Sequence, residues 1–222
     1  MTASEMDELA ENLLGDYRPA LLEEPQPIDH EHFLEFYLGV DVDYQDIRSN
    51  NPGEHILGMT AFGDDFTVIF DHDRECMKKI EIREGTVVLH SELLAADKAG
   101  RLRFTALHEG AGHWWCHQDY FAIDKNQLTL FENENPRAII CRSNNVENFA
   151  YRKCKSSGEW MEYQADYMAS AIAMPKTPFK AAVTKILKEA GLKNNLIVTG
   201  VDSDYDIYAE YIPSLIVTSH SK

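Results

Sequence analysis

The chain has 222 residues, 44% of them hydrophobic, and a formal charge of −16 from 37 acidic against 21 basic side chains. That length suits one large domain with a buried core. The acidic balance excludes the basic footprint that nucleic-acid binding needs and favours solubility or a basic protein partner. No apolar run approaches the roughly 20 residues that span a bilayer.

Met1 to Asp16 lacks the basic start and apolar core of a signal peptide. Cys76, Cys116, Cys141 and Cys154 form no CxxC pair and read as reduced thiols. A cytoplasmic location is therefore expected.

In chain order, Ser4 to Leu14 reads as a short acidic helix with apolar residues at Met6, Leu9, Leu13 and Leu14. Pro19, Pro25 and Pro27 then mark a connector, so residues 1–27 are set apart as an N-terminal helix and Pro-rich link. Asp29 is placed to cap a helix running to Leu38 and ending at Gly39. Val40 to Ile47 alternates like a strand. Ile56 to Phe62 and Phe66 to Phe70 flank Gly63-Asp64-Asp65, a hairpin signal, and Lys79 to Ile82 and Thr86 to Leu89 flank Glu84-Gly85 in the same way. Residues 118–158 are polar and show no strong period. Glu159 to Met174 reads as a helix stopped by Pro175, and Phe179 to Ala190 as another ended by Gly191. The main domain is drawn at 28–192, followed by an acidic, tyrosine-rich tail at 193–222.

From Leu102 the pattern is helical and carries His108-Glu109-Gly110-Ala111-Gly112-His113. Two histidines with a glutamate beside the first are most of a catalytic zinc site: two ligands, and a base for the water at the open position. A regular helix aligns ligands four apart, about 40° out of phase, and splays ligands five apart by about 140°. His108 and His113 are five apart. A π-bulge absorbs one extra residue and returns such a pair to one face. Gly110 and Gly112, costly in an ordinary helix, suit a deformed turn. The same variant spacing resembles that of the dipeptidyl-peptidase III family, which carries zinc on HExxGH.

The candidate third ligand is Glu162, with Asp166 one turn further on the same face. The pair resembles the second half of the thermolysin-like gluzincins, where the aspartate braces a ligating histidine. A metal-bound imidazole needs its other N–H held in this way. Trp114, Trp115, Met168, Ile172 and Met174 are expected to pack the core.

Arg103-Phe104-Thr105-Ala106-Leu107-His108-Glu109 followed by Gly112-His113 and His117 resembles the ImmA/IrrE metallopeptidases, whose pattern is RFTxAHExGHxxxH. Glu162 through Pro175 is similar to that family's ExxANxFAxxLLMP. The resemblance spans residues 28–178 and is specific only in these two blocks. It implies an α+β, zincin-like metallopeptidase domain, with a small β-sheet packed on the active-site helix and a second helix bearing a metal ligand. His108, His113 and Glu162 would hold Zn2+, with Mn2+ and Fe2+ also suited to two histidines and a carboxylate. Glu109 would be the general base, and Asp166 would support His108. His117, Tyr163 and Tyr167 are candidates for oxyanion stabilisation or support.

The implied substrate is a protein, such as a helix-turn-helix repressor of a phage or mobile-element regulatory system. The alternative is a zincin-fold module that regulates a repressor by binding it. The chain departs from the family in the residue inserted between Glu109 and Gly112, and in showing no helix-turn-helix or sensor segment.

Overall fold

The computed structural model describes residues 1–49, 53, 55–121, 138–142 (backbone), 154 and 156–189. The tail drawn at 193–222 lies outside the described residues. Helix α1 (Ala3–Tyr17) starts on a capping box: Thr2 Oγ1 accepts the Glu5 N–H, and Glu5 Oε2 accepts the Thr2 N–H. It buries Met6, Ala10 and Leu14. A 3-10 turn (Pro19–Leu22) occupies the proline-rich connector. Asp29 caps α2 (His30–His32) by accepting the His32 N–H. That turn widens into a π-helix (Phe33–Tyr37), and the chain then leaves through Gly39 at φ +68°.

Among the described residues six strands follow: β1 (Asp41–Gln45), β2 (Ile56–Ala61), β3 (Asp65–Asp71), β4 (Cys76–Ile82), β5 (Thr86–His90) and β6 (Ala138–Arg142). The expected strands exist, but the expected hairpins do not. Phe62 and Phe66 flank a crossing between sheets, because β2 pairs with β5 and β6 whereas β3 pairs with β4. Glu84-Gly85 likewise joins β4 to a strand of the other sheet. The result is a four-stranded mixed sheet in the order β1-β5-β2-β6, with β1 parallel to β5, and a separate β3–β4 ribbon. The real hairpin turn is at Asp71, whose carboxylate accepts the N–H groups of Asp73 and Arg74.

Helix α3 (Ala99–Leu107) runs into a second π-helix (His108–Trp115) and then α4 (Cys116–Phe121). Helix α5 (Ser157–Ala173) is capped by Ser156, and α6 (Lys176–Glu189) follows Pro175. The chain is thus mixed α+β. Alternation along β5 sends Val87 and Leu89 into the core shared with the helices, where they meet Leu107, Met168 and Ile172. Val88 turns to the other face, where Met59, Ile47 and Ile82 form a second cluster. The sheet is therefore covered on both faces, and β2 has every residue buried. Met174, expected in the core, is exposed where α5 ends. Among the described residues, no helix is long and apolar enough to cross a membrane.

Candidate metal centre

The eight residues His108–Trp115 are wound as a π-helix, the distortion that the five-residue spacing calls for. An i→i+5 turn closes on itself where the α-turn would overshoot. The imidazoles of His108 and His113 accordingly meet, ring centroids 4.6 Å apart and nearly perpendicular. The glycines do a different job from the one expected. Neither Gly110 nor Gly112 has a positive φ, so neither relieves a strained backbone. Gly112 permits close approach: a Cβ there would lie 2.6 Å from Ala165 Cα and 2.7 Å from its carbonyl oxygen. The missing side chain lets α5 press against the π-turn three residues from Glu162.

That contact brings the predicted ligands together. One donor atom from each of His108, His113 and Glu162 lies within 4.8 Å of the other two. His108 Nε2 is 3.6 Å from Glu162 Oε2, and His113 Nε2 is 3.7 Å from Glu162 Oε1. These are long for hydrogen bonds. They approach the roughly 3.3–3.6 Å between neighbouring ligands of a tetrahedral ion with bonds of 2.0–2.2 Å. On the far side of the His108 ring, Nδ1 is 2.8 Å from Asp166 Oδ1. A carboxylate there keeps the proton on Nδ1 and turns the Nε2 lone pair toward Glu162. Burial pushes the pKa of His113 down to about 4, with Glu162 opposing and His108 adding to the fall. Its ring is neutral near pH 7, as a ligand must be. His108, Glu109 and His113 are fully buried. Interiors hold such groups when they are paired or bind metal, so the donor set fits a divalent ion.

Glu109 projects toward the sheet. The Thr60 hydroxyl on β2 is a donor within reach of both the Glu109 carbonyl oxygen (3.1 Å) and Oε2 (2.5 Å). Two residues earlier, Gly58 leaves room for the same side chain: a Cβ there would lie 2.9 Å from Glu109 Cγ. Neither residue was found from sequence, because nothing in the local pattern of β2 marks it as the wall behind Glu109.

The three supporting candidates separate. His117 is buried beside the centre, its ring 5.6 Å from that of His113, and its Nε2 is 3.2 Å from Gln164 Oε1. Desolvation lowers its pKa, with Gln164 opposing. This suits support of the site. Tyr167 is turned away from the oxyanion role: its hydroxyl donates to Asp7 Oδ1 on α1 at 2.9 Å. Tyr163 stands between Trp160 and Tyr167 in an aromatic row on α5. Burial pushes the Cys116 thiol up to about 12.

No protein-family model, curated protein or solved structure matches the chain.

Proposed function

We propose that this protein is a metal-dependent endopeptidase of the zincin type, related to the ImmA/IrrE metallopeptidases, acting on a protein substrate such as a transcriptional repressor. What carries the reading is the meeting of His108, His113 and Glu162 around one point, with Asp166 behind His108. A divalent ion held by these residues would polarise the scissile carbonyl and acidify a water at its open position.

The chain's own residues supply the rest. Glu109 takes the proton of the attacking water and returns it to the leaving amine. Thr60 and Gly58 fix where its carboxylate can lie. Asp166 holds His108 in the ligating tautomer, and His117 with Gln164 backs the site.

The test is Glu109→Gln, which keeps the shape of the side chain. The ion held by His108, His113 and Glu162 should be retained at the wild-type level while cleavage of the substrate falls by at least about 100-fold. Cleavage at the wild-type rate would sink the reading. The complete burial of Glu109 supports a second reading, a module that binds a repressor without cutting it. In that case Glu109→Gln leaves repressor binding and its biological effect unchanged.

A further inference from the structure

At one end of the four-stranded sheet, away from the centre just described in sequence, a second set of donors converges. His55 immediately precedes β2, His90 ends β5, and Glu92 lies in the 3-10 turn Ser91–Leu94. The antiparallel pairing of β2 with β5 brings these distant positions together. One donor atom from each lies within 4.8 Å of the others. The two histidine rings are 5.0 Å apart and perpendicular, and His55 Nε2 is 3.1 Å from Glu92 Oε2. The other oxygen of Glu92 accepts from Lys98 Nζ at 2.9 Å, which leaves Oε2 aimed at His55.

The surroundings of His90 decide its chemistry. Its Nδ1 accepts the Glu92 N–H at 3.1 Å, so the lone pair is on Nδ1 and the ring proton on Nε2. Nε2 in turn lies 3.3 Å from Asp46 Oδ1. Asp46 is a buried carboxylate gripped by Arg48, at 2.6 Å to Oδ1 and 2.7 Å to Oδ2, and by His72 Nε2 at 2.9 Å. A carboxylate fixing the outer nitrogen of an imidazole is the arrangement that accompanies metal-ligating histidines. It repeats Asp166 and His108 with the two ring nitrogens exchanged. Burial, opposed by Glu92 and Asp46, lowers the pKa of His90 and keeps the ring neutral. A solvent-open cleft of about 660 Å³, lined by these residues with Arg48 and His72, gives an ion access.

We propose that His55, His90 and Glu92 form a second divalent-cation site, with zinc the best match to a donor set of two imidazoles and a carboxylate. The ligating atom of His90 is Nδ1, so an ion takes the lone pair that the Glu92 N–H now uses. That amide is therefore a built-in reporter, and the site stands or falls independently of the first centre.

The experiment is zinc binding to the full chain, by elemental analysis after gel filtration and by competition with a chromophoric chelator. Wild type should bind two ions, His113→Ala one, His55→Ala one and the double variant none. His55 is part-exposed, so its replacement leaves the core intact. Asp46→Asn should weaken the second site by about 10–100-fold. In His113→Ala, zinc should shift the Glu92 amide resonance, a change that a purely structural ion-pair network would not give. If His113→Ala takes up no more zinc than the double variant, or if the Glu92 amide does not respond, the proposal is overturned. If His113→Ala does not fold, wild type against His55→Ala decides it: equal stoichiometry refutes the site. A chain whose first centre binds no metal would still show one ion in wild type and none in His55→Ala, so the two readings fail separately.

Discussion

Asp166 touches His108 at the nitrogen that would not bind metal, and this single contact sets which lone pair points into the centre. An amide at 166 is near-isosteric but uncharged, and it presents either an oxygen or an NH2 to the ring. Asp166→Asn is therefore expected to lower metal affinity by about 10–100-fold while the far-ultraviolet spectrum stays unchanged. Chelator competition measures it, and unaltered affinity would remove Asp166 from the site. At this scale the sequence was highly legible. His108, Glu109 and His113 are local, and Glu162 with Asp166 is one helical turn on one face, while the π-turn returns the two histidines to each other. Thr60, Gly58 and Gln164 were not legible. Their roles exist only because β2 and α5 pack against the π-turn. The partner of Tyr167 was not legible for the same reason: nearness in sequence to Glu162 says nothing of Asp7 across the α1 interface.

The π-turn and α5 depend on contact at one point. Gly112→Ala places a methyl against the Ala165 backbone, which cannot rotate aside as a side chain would. Alanine is the better helix former by roughly 1 kcal/mol, so intrinsic propensity predicts a gain. Overpacking costs typically about 1–3 kcal/mol and should outweigh it. The expected outcome is a lower melting temperature together with weaker metal binding, because α5 carries Glu162 away as it retreats. A rise in stability would show that the close approach is unnecessary.

Helix α1 holds α5 from the other side. Asp7 accepts from both Tyr167 and Lys176, and Glu11 receives the Thr177 N–H. The Lys176 contact, with a smaller contribution from Tyr167 and against some desolvation, holds Asp7 below its ordinary 3.8. A depressed carboxylate pKa contributes stability above the unfolded value and loses it as pH falls through the folded one. Urea midpoints should therefore place wild type above Asp7→Asn near pH 7 and bring the two together as pH falls below 3.8 and through the lowered folded value. A gap that persists in acid would assign the effect to packing instead.

For the molecule as a whole, element types were readable while their partners were not. Gly63-Asp64-Asp65 and Glu84-Gly85 carry turn chemistry, but a turn signal cannot say whether the next strand folds back or crosses to another sheet. That choice follows from non-local burial, here of Met59 and Val88 on one face and of Val87 and Leu89 on the other. β6 escaped notice in a polar stretch, and the His55, His90 and Glu92 cluster was invisible until β2 and β5 were paired.

A metal held by the proposed centre would link binding to folding. The two helices that meet at the centre bring together fully buried His108, Glu109 and His113 and part-buried Glu162. An ion binding only the folded chain stabilises it by about 2.7 kcal/mol at one hundred times its dissociation constant. For a domain of this size that is roughly 5–10 °C in melting temperature. Chelation near pH 7 should lower the melting temperature by that order, and added zinc should restore it. Acid should erase the difference. The pKa of His113 is depressed from 6.5 to about 4, so the unfolded chain binds the extra proton throughout that window. Stability from the neutral ring is complete above 6.5 and drains away as pH falls toward 4, with or without metal, while in the folded chain protons compete with metal for the nitrogen only from about 4 downward. Calorimetric scans with and without chelator should therefore keep their separation down to about pH 4 and converge below it, and a separation that persists well below pH 4 would show that His113 does not ligate the ion.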